Sequence, residues 1–412
     1  MRRLVLSLLL LGSCIGRLYA QTTQETVSLG AGYADQVWYS LDQGETARAS
    51  ADEWHLAFEV ANFGFSIRVN NARGMECYAY PGPVSDFETL DTTNISQWKS
   101  LVNADTSWSY GALSRYQSGF DIGWGNYNLT THTIAGDSLY LVRLPSGEVF
   151  KLFIEKLIGG TYTYRYATID NSIDVTATVT KGDFPDKRFA YVNLLTQQTL
   201  DREPVLSNWD LLFTTYITAI QAGPTKVAYP VSGVLHREGV EVAEAYPVPD
   251  PASYSDYTAH AFTHEINTIG YDWKSFAGTW SLQDSLVYFV KLENGNIWKL
   301  RFTAFGGSST GDFTFEKEPL VVTGVEETPV NPLVQLYPNP ARDVLHLVLD
   351  QPEATPYQLQ VVNTQGQVVY HQLLDQQGLN TYTIPVSDLP AGIYWLHGRS
   401  DKGAFTQSFI KP

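Results

Sequence analysis

The sequence predicts an all-β protein: two antiparallel β units in tandem, followed by a small β-sandwich. Three observations carry this. Aromatic residues make up 13% and charged residues only 17% of the 412 positions, a packed composition rich in strand formers. A hairpin-like stretch, Asp284–Phe302, recurs in altered form at Leu139–Ile154. Beyond residue 335 the chain turns to short alternating runs broken by glycines, the pattern of a sandwich.

The recurring stretch sets the frame. Strand-forming runs flank Asn294-Gly295, a pair suited to the positive φ of a tight turn. A two-residue loop there places Lys291 opposite Trp298 and Phe289 opposite Leu300, with Val287, Phe289, Trp298, Leu300 and Phe302 on one face. In the earlier copy Ser146-Gly147 takes the turn, Arg143 stands opposite Phe150, and Lys151 takes the place of Lys299. Each pair predicts a cation over an aromatic ring.

Residues 1–20 read as an export leader: Arg2-Arg3, the apolar run Leu4–Leu11, and a cleavage site after Ala20. Leu11-Gly12-Ser13-Cys14 also fits a lipoprotein signal, which would make Cys14 the lipidated N-terminus. The first unit, 21–180, holds strands at Val37–Leu41, Trp54–Phe58 and Phe65–Asn70, a short helix at Ile95–Val102, the hairpin, and Thr161–Asp170. The second, 181–322, repeats the order with Phe189–Leu195, Trp209–Phe213, Ile269–Lys274, the hairpin and Phe313–Phe315. The landmarks recur at a spacing of roughly 150 residues, which predicts a duplication joined near Val179–Asp186. Residues 323–334 read as a linker stiffened by Pro329 and Pro332.

The net charge of −16 disfavours nucleic acid and anionic membranes as partners. No apolar run after the leader is long enough to span a bilayer. Loss of the leader leaves Cys77 as the single cysteine, so no intrachain disulfide is available.

Residues 335–412 resemble a type IX secretion C-terminal sorting domain of type A. The matching residues are Leu336-Tyr337-Pro338-Asn339-Pro340-Ala341, then Val362–Val369 around Gly366, then Leu389–Tyr394 with Gly392, and a final Phe409-Ile410-Lys411-Pro412. The resemblance implies passage through a bacterial outer membrane by the type IX machinery, to the surface or the medium. The two units resemble HmuY-type surface haem-binding proteins. That likeness is carried by Asn208–Phe213, Ile269–Lys274 and Phe289–Gly295. It implies a β scaffold and haem or another small ligand.

Haem requires an apolar slot and axial ligands, usually His or Met. The chain offers His55, His132, His236, His260, His264 and Met75, besides His346, His371 and His397 in the terminal unit. His260 and His264 have the i, i+4 spacing of a ligand pair on a helix and are the cofactor candidates, for haem or for a metal. The aromatic stretch Trp98, Trp108, Tyr110, Tyr116, Phe120, Trp124 and Tyr127 is the candidate lining for a glycan or haem cleft. No HExxH, Walker or GxGxxG motif occurs, so a non-enzymatic binding protein is expected, with a structural surface protein as the alternative.

Overall fold

The hairpin has a three-residue loop, and that slip of one position reorganises both faces. In the computed structural model Val290 stands opposite Trp298 and Lys291 opposite Ile297. The Gly295 N–H donates to Leu292 O and the Leu292 N–H to Asn296 O, with Gly295 at φ 87°. This is a type I turn closed by a glycine bulge. The first hairpin does the same, pairing Val142 with Phe150 around Gly147 at φ 103°. Tyr288, Val290, Trp298 and Leu300 therefore share one core, whereas Val287 and Phe289 face another. The expected cation–ring pairs are not formed. Lys291 pairs with Glu241 and Arg143 with Glu76, across equivalent strands of the two copies.

The structure describes residues 22–114, 118–322, 334–351, 356–364, 367–374, 378–400 and 403–412. The leader, Cys14, Tyr116, nearly all of the linker and Gly366 lie outside them. The chain up to Val322 is one unit and the terminal sandwich another.

Within the first unit the described strands build two layered β cores with matching pairing orders. One sheet runs Asp174–Thr180, Thr161–Thr168, Val149–Ile158, Leu139–Arg143, Glu76–Ala79. Its counterpart runs Thr23–Ser28, Asp312–Val321, Ile297–Phe305, Val287–Lys291, Glu241–Ala245. Each packs on a second sheet of antiparallel hairpins. Phe189–Asn193 pairs with Leu56–Glu59, and Asp35–Ser40 pairs with Leu211–Ala222. The second core is thus completed by the first strands of the chain, Thr23–Ser50, while the first core runs on through Leu200. The division expected between 180 and 181 does not follow the sheets. Hydrophobic patterning marks each strand as buried on one or both faces, but pairing partners are chosen by the tertiary fold.

Between the two sandwiches lies a separate apolar layer. Trp38, Trp54, Trp108 and Trp209 are buried there with Tyr191, Leu212 and Tyr216. Outer layers cover the far faces. Phe87 and Leu90 pack on Leu139 and Leu141 in the first sandwich, and Val248, Tyr254 and Tyr257 on Val287 and Phe289 in the second. The helix expected at Ile95–Val102 is a 3-10 turn, Ile95–Gln97, followed by an extended pair, Lys99–Ser100. Trp98 there stacks edge-on against Tyr80, a tertiary contact that favours extension.

The terminal unit has a three-stranded sheet, Val334–Tyr337, Val344–Gln351 and Gly378–Pro385. A four-stranded sheet of Val368–Leu374, Tyr357–Val362, Gly392–Ser400 and Gly403–Lys411 packs on it. Leu345, Leu347, Leu359, Val361, Leu396 and Phe409 form the core between them.

Candidate functional site

One end of the first sandwich opens into a cleft of about 600 Å³. Four turns and a hairpin build it. The turn between Leu56–Glu59 and Ile67–Val69 contributes Phe63 and Phe65, and the segment before Ile122 contributes Phe120. The hairpin Gly125–Asn128 and Thr133–Gly136 adds Tyr127, His132 and Ile134. Leu157, Gly159 and Gly160 close one side, and Lys181 stands on the 3-10 turn Lys181–Asp183.

The turn carrying Phe63 is held from below. Lys181 Nζ donates to Ala61 O at 3.1 Å and to Gly64 O. Tyr162 Oη donates to Glu59 O at 2.9 Å, and Trp124 Nε1 to Phe65 O at 2.9 Å. Burial pulls the Lys181 pKa down, with Glu59 acting against that pull. Pinned this way, Phe63 takes a left-handed backbone, φ 60°, and its side chain is 99% exposed. A non-glycine residue in that region is strained, and a fully solvated phenyl ring forgoes roughly 2 kcal/mol of burial. Phe120, beside it, is 54% exposed. His132 Nδ1 lies 2.7 Å from Tyr127 Oη, which fixes the ring and leaves Nε2 for another partner.

The same end of the second sandwich is filled. Its hairpin, Lys274–Phe276 and Trp280–Leu282, lays Trp280 against Phe305 at 4.8 Å and Phe276 at 5.0 Å. A Cβ on Gly307 would meet the Trp280 indole at 2.6 Å. Lys274 Nζ sits 4.3 Å from the Trp273 ring and 4.6 Å from Phe305, donates to Ser232 O, and is pulled by burial down to about 7. The first copy carries His132 where the second carries Trp280, set edge-on against Phe305.

The histidines singled out by spacing are placed elsewhere. Only Tyr257–Ala259 forms a 3-10 turn; His260 is extended, and Thr263 bridges to Val242, so the helical premise for the pair fails. His260 Nε2 meets Tyr254 Oη at 2.8 Å, and its ring packs on Phe289 at 5.9 Å. His264 is largely exposed, with Nε2 3.4 Å from Glu241 Oε1. Among the described residues no cluster of three or more His, Cys, Asp or Glu side chains has metal-binding proximity. His55 and His236 are buried and bonded to backbone. Of the aromatic stretch, Phe120 and Tyr127 reach the cleft, while Trp108 and Trp124 are core.

The terminal motif residues lace the sandwich together. Pro338 and Pro340 flank Asn339, whose Oδ1 accepts from Ile410 N at 2.9 Å and whose Nδ2 donates to Ser408 O at 3.2 Å. Tyr394 donates to Pro390 O and stacks on Phe409 at 5.5 Å; Gly392 pairs with Lys411, whose Nζ donates to Arg342 O. These bonds join the first segment of the unit to its last strand. Residues 335–412 match the family model described as a secretion system C-terminal sorting domain.

The last 335–412 stretch is a sorting domain. It marks the chain as cargo of the type IX secretion system, which delivers proteins to the cell surface or beyond. Among curated proteins none matches the chain. The resemblance of the repeats to HmuY-type proteins draws no support from these comparisons.

Proposed function

We propose that the part of the chain before the sorting domain is a non-enzymatic binding module whose ligand enters the cleft beside Phe63. The observation that carries this reading is a solvated phenyl ring, held in a strained turn by bonds from three side chains, at the mouth of a cleft of small-molecule size. Phe63, Phe65, Phe120, Ile134 and Leu157 offer flat apolar walls, and His132 Nε2 is a directional polar group. The ligand class is a flat, largely apolar molecule with one group that engages an imidazole.

Haem belongs to that class. His260 and His264 do not fit it, because one is bonded to Tyr254 within a packed layer and the other stands beside Glu241. His132 fits better: the tyrosine on Nδ1 is the kind of outer partner that orients an iron-binding imidazole. Bound there, haem would supply a redox-active iron. Titration of the full chain with haemin should give a Soret shift that His132→Ala abolishes and that His260→Ala and His264→Ala leave intact. A shift insensitive to His132→Ala places haem elsewhere, and no shift removes haem. The cleft itself is tested with an apolar fluorescent dye, whose affinity should fall about tenfold in Phe63→Ala. Equal dye binding by the variant favours the other reading, a structural surface protein whose exposed rings contact a partner.

A further inference from the structure

A second cavity, of about 60 Å³, lies in the layer between the two sandwiches. Its polar lining is divided between groups that are satisfied and groups that are not. Gln36 is committed to Trp54 and Thr214, and Asn70 to the carbonyls of Ala51 and Trp54. Arg68 is different. It is 7% exposed, stacks 5.0 Å from Trp108, and donates only to the carbonyls of Ala104, Ser107 and Trp108. Among the described residues it forms no ion pair; Glu59 and Asp105 act on it only at longer range, so neutral carbonyls are what its buried charge meets directly, an arrangement that costs free energy unless compensated. Burial pulls its pKa down to about 10. Asp105 lines the same cavity without pairing with Arg68, and its Oδ2 accepts from Thr218 Oγ1 at 2.5 Å. Tyr216, another lining residue, is 7% exposed and has a buried hydroxyl with no hydrogen-bond partner among the described residues.

A cation and an anion that share one cavity without touching suit a molecule carrying both opposite charges. We propose that this cavity binds a small α-amino acid, its carboxylate meeting Arg68 and its ammonium group meeting Asp105. Tyr216 supplies a further hydrogen bond, and Trp54, Phe189 and Tyr191 wall the side chain. The volume corresponds to roughly four to six waters, which limits the ligand to the size of glycine or alanine. Arg68 and Asp105 belong to the first sandwich and Tyr216 to a strand of the second, so the ligand would also tie the two together.

The test uses the full chain, with Trp54 and Trp108 as internal fluorophores and the melting temperature as a second readout. Glycine and L-alanine should change the fluorescence saturably and raise the melting temperature, because a ligand of the native state stabilises it. Acetate and methylammonium, each carrying one charge, should bind at least about tenfold more weakly. Asp105→Asn keeps an acceptor for Thr218 and should weaken alanine about tenfold while leaving acetate unchanged. Tyr216→Phe should weaken alanine without lowering the melting temperature of the free protein. The proposal is overturned by no saturable response to either amino acid, by acetate binding as well as alanine, or by Asp105→Asn binding alanine as the parent does.

Discussion

His55 and Asp210 occupy matching positions, look chemically unrelated, and do one job. His55 Nδ1 accepts from the Leu194 N–H at 2.9 Å, and Asp210 Oδ2 accepts from the Leu41 N–H at 2.8 Å. Each holds the end of a hairpin contributed by the other stretch of sequence. Asp210→Ala leaves a buried N–H unsatisfied and should cost about 1–3 kcal/mol in urea denaturation, whereas Asp210→Asn should lose less. Glu203 governs a different property. Its carboxyl is buried, accepts from Phe189 N at 2.8 Å and Tyr191 Oη at 2.8 Å, and is pushed by burial up to about 7. An unfolded glutamate ionises near ~4.3, so between that pH and about 7 the folded state holds the extra proton and stability falls as pH rises. His55, whose pKa burial lowers, acts in the opposite sense, losing stability as pH falls below the unfolded value. Melting curves of the parent and Glu203→Gln should therefore diverge from about pH 5 to 7, with the parent falling relative to the variant. Parallel curves would show that the carboxyl ionises normally.

At the scale of an element, a single glycine fixes the hairpin register. Gly295 and Gly147 adopt positive φ, and the three-residue loops they close decide which face of each strand meets the core. Gly295→Ala should cost about 1–2 kcal/mol in urea denaturation, the strain of a left-handed alanine. The open space around Gly147 means that Gly147→Ala should show the same backbone cost with no steric addition. The repeated surface pairs, Arg143 with Glu76 and Lys291 with Glu241, are partly exposed and contribute at most about 1 kcal/mol each. An alternating pattern was enough to recognise both hairpins. It could not reveal a bulge, because Asn-Gly and Ser-Gly serve both loop lengths.

For the whole molecule, the order of pairing matters more than the order of the chain. The first core draws its strands from Leu56 to Leu200 without a break, whereas the second needs Thr23–Ser50 as well as Leu211–Val321. A fragment covering residues 51–203 should fold with a cooperative melt. A fragment covering 204–322 should stay unfolded by circular dichroism until a peptide of residues 22–50 is added. Cooperative folding of the second fragment alone would show that the exchanged strands are dispensable. The sorting domain makes a cellular prediction. Truncation at Asn331 should trap the cargo in the periplasm, and truncated protein found outside at normal levels would refute that role.

The sequence by itself determined the strand content, the recurrence of the hairpin, and the terminal sorting unit. These are local facts: alternation, turn residues, and a contiguous motif tied together by Asn339 and Tyr394. Tertiary structure decided which strands share a core, because pairing partners lie up to the length of both units apart and periodicity carries no address for them. It also decided where a ligand could enter. His260 and His264 share a spacing but not a site, since the segment between them is extended. Phe63 and His132, far apart in sequence, meet at one cleft only because four turns and a hairpin gather at the same end of a sandwich.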